Sequence, residues 1–179
     1  MIFFLTQAVG LFTISRYIDI EKTSATGETY LHSEKYIISP PEMEEQYSWI
    51  YISFAIAIGT SIALLIVYFN IMILWKIWFF LSIFLTLILG FFPYVEFFTT
   101  KFAYIATIIL ALFFTIWKLF SPNKIVYNFT EIFVYSGIAA LLVPILNLFS
   151  IVILLTLISF YDVWAVFKTK HMIKLAKFQ

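Results

Sequence analysis

The chain has 179 residues, of which 63% are hydrophobic and 12% charged, with a mean hydropathy of +1.01 and a formal net charge of +1, whereas an ordinary soluble domain carries about 25% charged residues. So little polar surface excludes a water-soluble globule, and the lack of any basic run excludes nucleic acid as a partner. Zero cysteines exclude disulfides, thiol catalysis and thiolate metal sites, and with both histidines, His32 and His171, outside the apolar runs, no metal or other cofactor is expected.

A helix that crosses a bilayer needs about 17 to 25 predominantly apolar residues. The first apolar run, residues 1–14, falls short of that. It reads as a tilted span, as a span whose upstream residues are missing, or as a signal peptide. The signal peptide is the weakest of the three, because no Lys or Arg precedes the run and no small-residue cleavage site follows at Ile14-Ser15-Arg16. Residues 15–47 form the one long polar segment and carry Asp19, Glu21, Glu28, Glu34, Glu42, Glu44 and Glu45, too little chain for a soluble domain of useful size. Within it, Ser39-Pro40-Pro41 followed by the acids reads as a turn leading into a helix start.

Spans are predicted near 48–70, 72–94, 101–120, 128–147 and 149–167. In the first of these, Ala55, Gly59 and Ala63 lie four residues apart, either a stripe that admits a close helix or small residues scattered in an apolar helix. Glu96 follows Phe91-Phe92-Pro93-Tyr94 in an outer loop before Lys101, where solvation accounts for it. Glu131, one residue after Thr130, lies near the start of its span, where the positive end of the helix dipole favours an acid. Gly137, Ala139, Ala140 and Pro144 weaken that span and predict a bend. Asn128-Phe129-Thr130 is a glycosylation sequon on the inner side and is set aside.

Orientation follows from Lys and Arg. With six spans both ends share one side, which holds Lys76, Lys118, Lys124, Lys168, Lys170, Lys174 and Lys177, while Arg16, Lys22, Lys35 and Lys101 lie on the other. The N-terminus and the tail 168–179 are therefore expected in the cytoplasm and the segment 15–47 outside, in a multi-pass protein of the plasma membrane. The whole chain reads as one all-α transmembrane helical domain, with the lipid bilayer as its solvent.

Asp162 differs from the other acids. Apolar and aromatic residues surround it, and it lies roughly 9 Å along the helix from the basic flank at Lys168. A carboxylate there costs on the order of 2.5 to 3.5 kcal/mol on insertion scales, so it should face a bundle interior or a water-filled cavity. Ser159 and Ala165, three residues to either side, are small enough for another helix to approach. Ile158 and Val166 complete the face, and the Tyr161 phenol can wall one side of a site.

The segment from Ser159 through Tyr161-Asp162 to Lys168-Thr169-Lys170-His171-Met172 resembles the sixth transmembrane helix of the archaeal presenilin and signal peptide peptidase homologues. Phe4-Leu5-Thr6-Gln7-Ala8-Val9-Gly10-Leu11 is similar to their first helix. These are intramembrane aspartyl proteases of nine helices, and the resemblance implies the first six. It makes Asp162 the first catalytic aspartate and transmembrane-helix peptides the substrates.

The family's second aspartate lies in a Gly-x-Gly-Asp string, and a Pro-Ala-Leu motif begins its ninth helix. Neither string occurs here, since Gly10, Gly27, Gly59, Gly90 and Gly137 include no two that are two apart. The expectation is a natural half or a truncated product, inactive until a C-terminal segment or chain supplies the second aspartate. Two other readings stand beside it, a small proton- or cation-coupled transporter or channel subunit using Asp162, and a non-enzymatic membrane remnant.

Overall fold

The computed structural model describes residues 2–26, 47–96, 100–120, 123–164 and 167, and they are helical throughout apart from short turns. The helices are α1 (Ile2–Tyr17), α2 (Ile20–Thr26), α3 (Ser48–Tyr68), α4 (Met72–Val95), α5 (Thr100–Phe120), α6 (Lys124–Leu142) and α7 (Leu148–Trp164). In hydrocarbon every backbone N–H and C=O must be satisfied within its own segment, so uninterrupted apolar runs become helices. Four of them, α3 to α6, are long and apolar enough to cross a membrane, and α7 contributes a shorter apolar stretch. Large apolar side chains point outward along them, among them Phe54 at 67% and Ile73 at 70% exposure. An apolar exterior of this kind suits lipid.

Several boundaries differ from the sequence reading. The first helix runs on to Tyr17, which brings Arg16 onto it, and a short helix, α2, opens the polar segment. The fifth span starts four residues earlier than read, at Lys124, because the Asn123 side chain accepts a hydrogen bond from the Ile125 N–H at 2.9 Å and caps the helix. It also ends earlier, at Leu142, so Pro144 lies in the turn beyond it and stops the helix instead of bending it. The acids from Glu28 to Glu45, the turn at Ser39-Pro40-Pro41 and the basic tail 168–179 lie outside the described residues.

The chain divides into two compact units. One holds residues 1–41 and 79–144, the other 42–78 and 145–179. In the first unit, α4 and α6 touch backbone to backbone. A Cβ added to Gly90 would lie 2.3 Å from the Phe133 carbonyl oxygen, and one added to Gly137 would lie 2.0 Å from that of Thr86. Gly137 is thus a contact point, where the sequence had suggested a weakness. Beside it the rings of Phe91, Phe114, Phe129 and Phe133 pack at tilted angles with contacting centroids 4.6 to 5.4 Å apart, joining α4, α5 and α6.

Pro93 sits inside the last turn of α4 and has no N–H to give the Leu89 carbonyl four residues back. The buried Tyr17 hydroxyl donates to that carbonyl instead, at 2.9 Å, and so ties α1 to α4. Two ion pairs between residues distant in the chain help to hold this unit together. Glu96 is half-buried and meets Arg16 at 3.5 Å, where the sequence had suggested solvation alone. Lys118, its side chain 3% exposed, pairs with Glu131 and lies over the Tyr127 ring, 4.4 Å from its centroid. Since α6 begins at Lys124, Glu131 stands about two turns into the helix, and a lysine on α5 replaces the helix dipole as its source of positive charge.

The second unit contains α3, the first turns of α4, and α7. Asn70, at φ 55°, makes the tight link from α3 to α4, a left-handed conformation that asparagine tolerates. Asn147 caps α7 by accepting from the Ser150 N–H at 2.7 Å. The Ser150 hydroxyl in turn accepts a hydrogen bond from the Ser48 hydroxyl at 3.0 Å, which pins the start of α7 to the start of α3.

Candidate active site

From that pin the two helices run in the same direction and flank a groove of about 310 Å³. On α3 the lining residues are Ser53, Ile56, Ala57 and Thr60; on α7 they are Leu154, Leu157, Ile158, Tyr161 and Asp162. Both sets follow the three- and four-residue steps of one helix face. The groove is thus a seam between two apolar stripes, with four polar side chains set into it.

The serine pin fixes the register. Thr60 lies 12 residues beyond Ser48 and Asp162 lies 12 beyond Ser150, each about 18 Å along its helix at 1.5 Å per residue. Thr60 and Asp162 therefore stand at the same height. Ser53 lies seven residues back from Thr60, roughly 10 Å toward the N-terminal end of the groove.

Asp162 is exposed within this seam and makes no hydrogen bond or ion pair with any described residue. Its carboxyl is thus open to whatever fills the groove. Tyr161 borders the groove beside it, half-buried. Ser159 is exposed and lies away from the lining, while Ala165 falls outside the described residues. Sequence reading, confined to the helix that bears the aspartate, missed Ser53 and Thr60. Their signal was present as two hydroxyls seven residues apart on one face of an otherwise apolar span.

A roomier hollow of about 450 Å³ lies along α5 beside Phe113, Ile116, Trp117 and Phe120. Its walls carry no carboxyl, hydroxyl or base, so size alone does not make it a site for chemistry. Among the described residues, no three His, Cys, Asp or Glu side chains converge on a point that could hold a metal ion.

A groove with a lone carboxyl in a chain of apolar helices fits either hydrolysis or ion passage, and comparison with known proteins separates the two. A family model described as signal-peptide peptidase, presenilin aspartyl protease matches residues 9–179. No curated protein matches the chain, and no solved structure does. The match takes in the second half of α1 and every described helix after it, including both walls of the groove. The chain is a multi-pass membrane protein that belongs to the signal-peptide peptidase and presenilin family of intramembrane aspartyl proteases, which act on transmembrane helices within the bilayer.

Proposed function

We propose that this chain is the part of an intramembrane aspartic endopeptidase that supplies one of two catalytic aspartates, Asp162, and that the other comes from a Gly-x-Gly-Asp segment outside these 179 residues. The observation that carries the reading is a carboxyl, without a partner among the described residues, lining an apolar groove in a chain of this family. Hydrolysis of a peptide bond by carboxyl groups needs a pair sharing one proton. One member, ionised, takes a proton from the attacking water; the other, protonated, polarises the carbonyl under attack. A single aspartate cannot fill both roles at once, so these residues by themselves are inactive.

The apolar walls give the reaction its setting. They offer no hydrogen bonds of their own, so a polarised carbonyl lying in the groove has few partners other than the four polar side chains set into it. Tyr161 flanks the carboxyl on its own helix, and Thr60 brings a hydroxyl to the same height from α3, within a groove that both line. Family membership favours this reading over proton or cation passage. We further place the protein in the plasma membrane with both termini cytoplasmic, so that water reaches Asp162 from the cytoplasmic side; the excess of Lys on that side supports it.

The test is co-expression with a segment bearing Gly-x-Gly-Asp and an assay of cleavage of a transmembrane peptide. Asp162→Ala and Asp162→Asn should lower the rate by roughly 10² to 10⁴-fold. Cleavage by Asp162→Ala at the parent rate rejects the assignment.

A further inference from the structure

The hydroxyls on these helices follow a common habit with one informative exception. Ser61, Thr86, Thr115, Thr130, Ser136 and Thr156 each donate to a carbonyl three or four residues back in their own helix. That is how an apolar helix hides a hydroxyl. Among the described residues, two buried hydroxyl oxygens, those of Ser53 and Thr107, have no hydrogen-bond partner. Thr107 is fully buried and lines neither of the two cavities described above. Ser53 borders the groove that holds Asp162.

An unsatisfied hydroxyl in an apolar setting is costly, and the cost disappears when the groove's occupant offers a partner. A lipid acyl chain offers none. An intact helix has no free main-chain N–H to donate, and offers only the spare lone pair of carbonyls screened by its own side chains. A peptide segment that has left the helical state exposes both. We propose that Ser53 is a positioning residue, whose hydroxyl bonds the main chain of a locally unwound substrate segment and thereby sets which bond lies at Asp162.

The register gives this a measurable length. The roughly 10 Å between the heights of Ser53 and Asp162 corresponds to about three residues of extended peptide at 3.3 Å each. Ser53 therefore holds the substrate about three residues from the bond cut, toward the N-terminal end of α7. This rests on the protease reading given above.

The test uses the chain co-expressed with the Gly-x-Gly-Asp segment, in phosphatidylcholine vesicles, with a transmembrane peptide carrying a central Gly-Gly pair. Ser53→Ala should raise KM roughly three- to tenfold with kcat little changed, and Ser53→Thr, which keeps the hydroxyl, should restore it. The chain has no cysteine, so Ser53→Cys introduces a single thiol. Oxidative capture of peptides with one cysteine walked along their length should peak about three residues from the cut, and should fall for an all-leucine peptide that stays helical. Unchanged KM in Ser53→Ala, or capture that is uniform along the peptide or equal for the all-leucine helix, overturns the proposal. If Asp162→Ala abolishes cleavage while Ser53→Ala leaves KM untouched, the role of Ser53 fails and the protease reading stands. If capture peaks as expected but Asp162→Ala still cleaves, the main-chain contact stands and the catalytic assignment fails.

Discussion

Single residues in this protein matter most where the surroundings offer no water to substitute for a lost partner. The Tyr17 hydroxyl is such a case, because it supplies the donor that Pro93 withholds from the Leu89 carbonyl. Tyr17→Phe keeps the ring, which stacks on Phe92 at 6.4 Å, and strands the carbonyl. It should destabilise the fold by about 1–2 kcal/mol, read from thermal unfolding in detergent. In a Pro93→Ala background the helix regains its own donor, so the same substitution should cost less, and a double-mutant cycle measures the difference. Additive effects would show that the two residues act independently. The aspartate was legible in the sequence for a related reason, since a carboxyl amid Phe160, Tyr161, Val163 and Trp164 is out of place in hydrocarbon unless something uses it. Its companions Ser53 and Thr60 were not, because they lie about a hundred residues away in the chain and only the pin between Ser48 and Ser150 reveals that they share its groove.

At the level of elements, apolar run length located α3, α4, α5 and α7 to within a few residues, since a run long enough to cross lipid has no alternative to a helix. What the runs did not reveal was which small residues mark contacts. The stripe of Ala55, Gly59 and Ala63 looked the more regular, yet a Cβ added to Gly59 meets nothing within 4 Å. Gly90 and Gly137, on different helices with no shared spacing to announce them, are the two that meet a neighbouring backbone. Gly90→Ala and Gly137→Ala should each cost roughly 3 kcal/mol, because α4 and α6 must move apart; Gly59→Ala should be neutral or stabilise by up to about 1 kcal/mol. Unfolding of the three variants in one detergent checks the contrast. The pair between Lys118 and Glu131 was equally hidden, since Glu131 had an adequate reading at a helix start and Lys118 one among the basic residues of its membrane side. Removing one partner, as in Glu131→Leu, leaves a nearly buried ammonium uncompensated and should cost about 3–5 kcal/mol, whereas adding Lys118→Met should recover much of the loss. A double variant less stable than Glu131→Leu alone would contradict this account.

For the whole molecule the open question is which way the helices face, and it can be separated from the two helices of marginal length. α1 and α7, at 16 and 17 residues, reach only about 24–26 Å at 1.5 Å per residue, short of the roughly 30 Å of a bilayer core. α3, α4 and α5 meet the length and apolarity that a crossing requires. Among the described residues, those three helices are the ones between Ser24 and Lys124 that could cross. An odd number of crossings puts Ser24 and Lys124 on opposite sides whatever α1 and α7 do. The orientation proposed from the lysine distribution puts Lys124 inside. In a chain without cysteine, Ser24→Cys should react with a membrane-impermeant maleimide on intact cells, and Lys124→Cys only after lysis. Both positions are exposed, so failure to react reports the membrane and not burial. The reverse pattern would turn the protein over and bring water to Asp162 from outside the cell. Labelling of both on intact cells would mean that one of the three long helices does not cross.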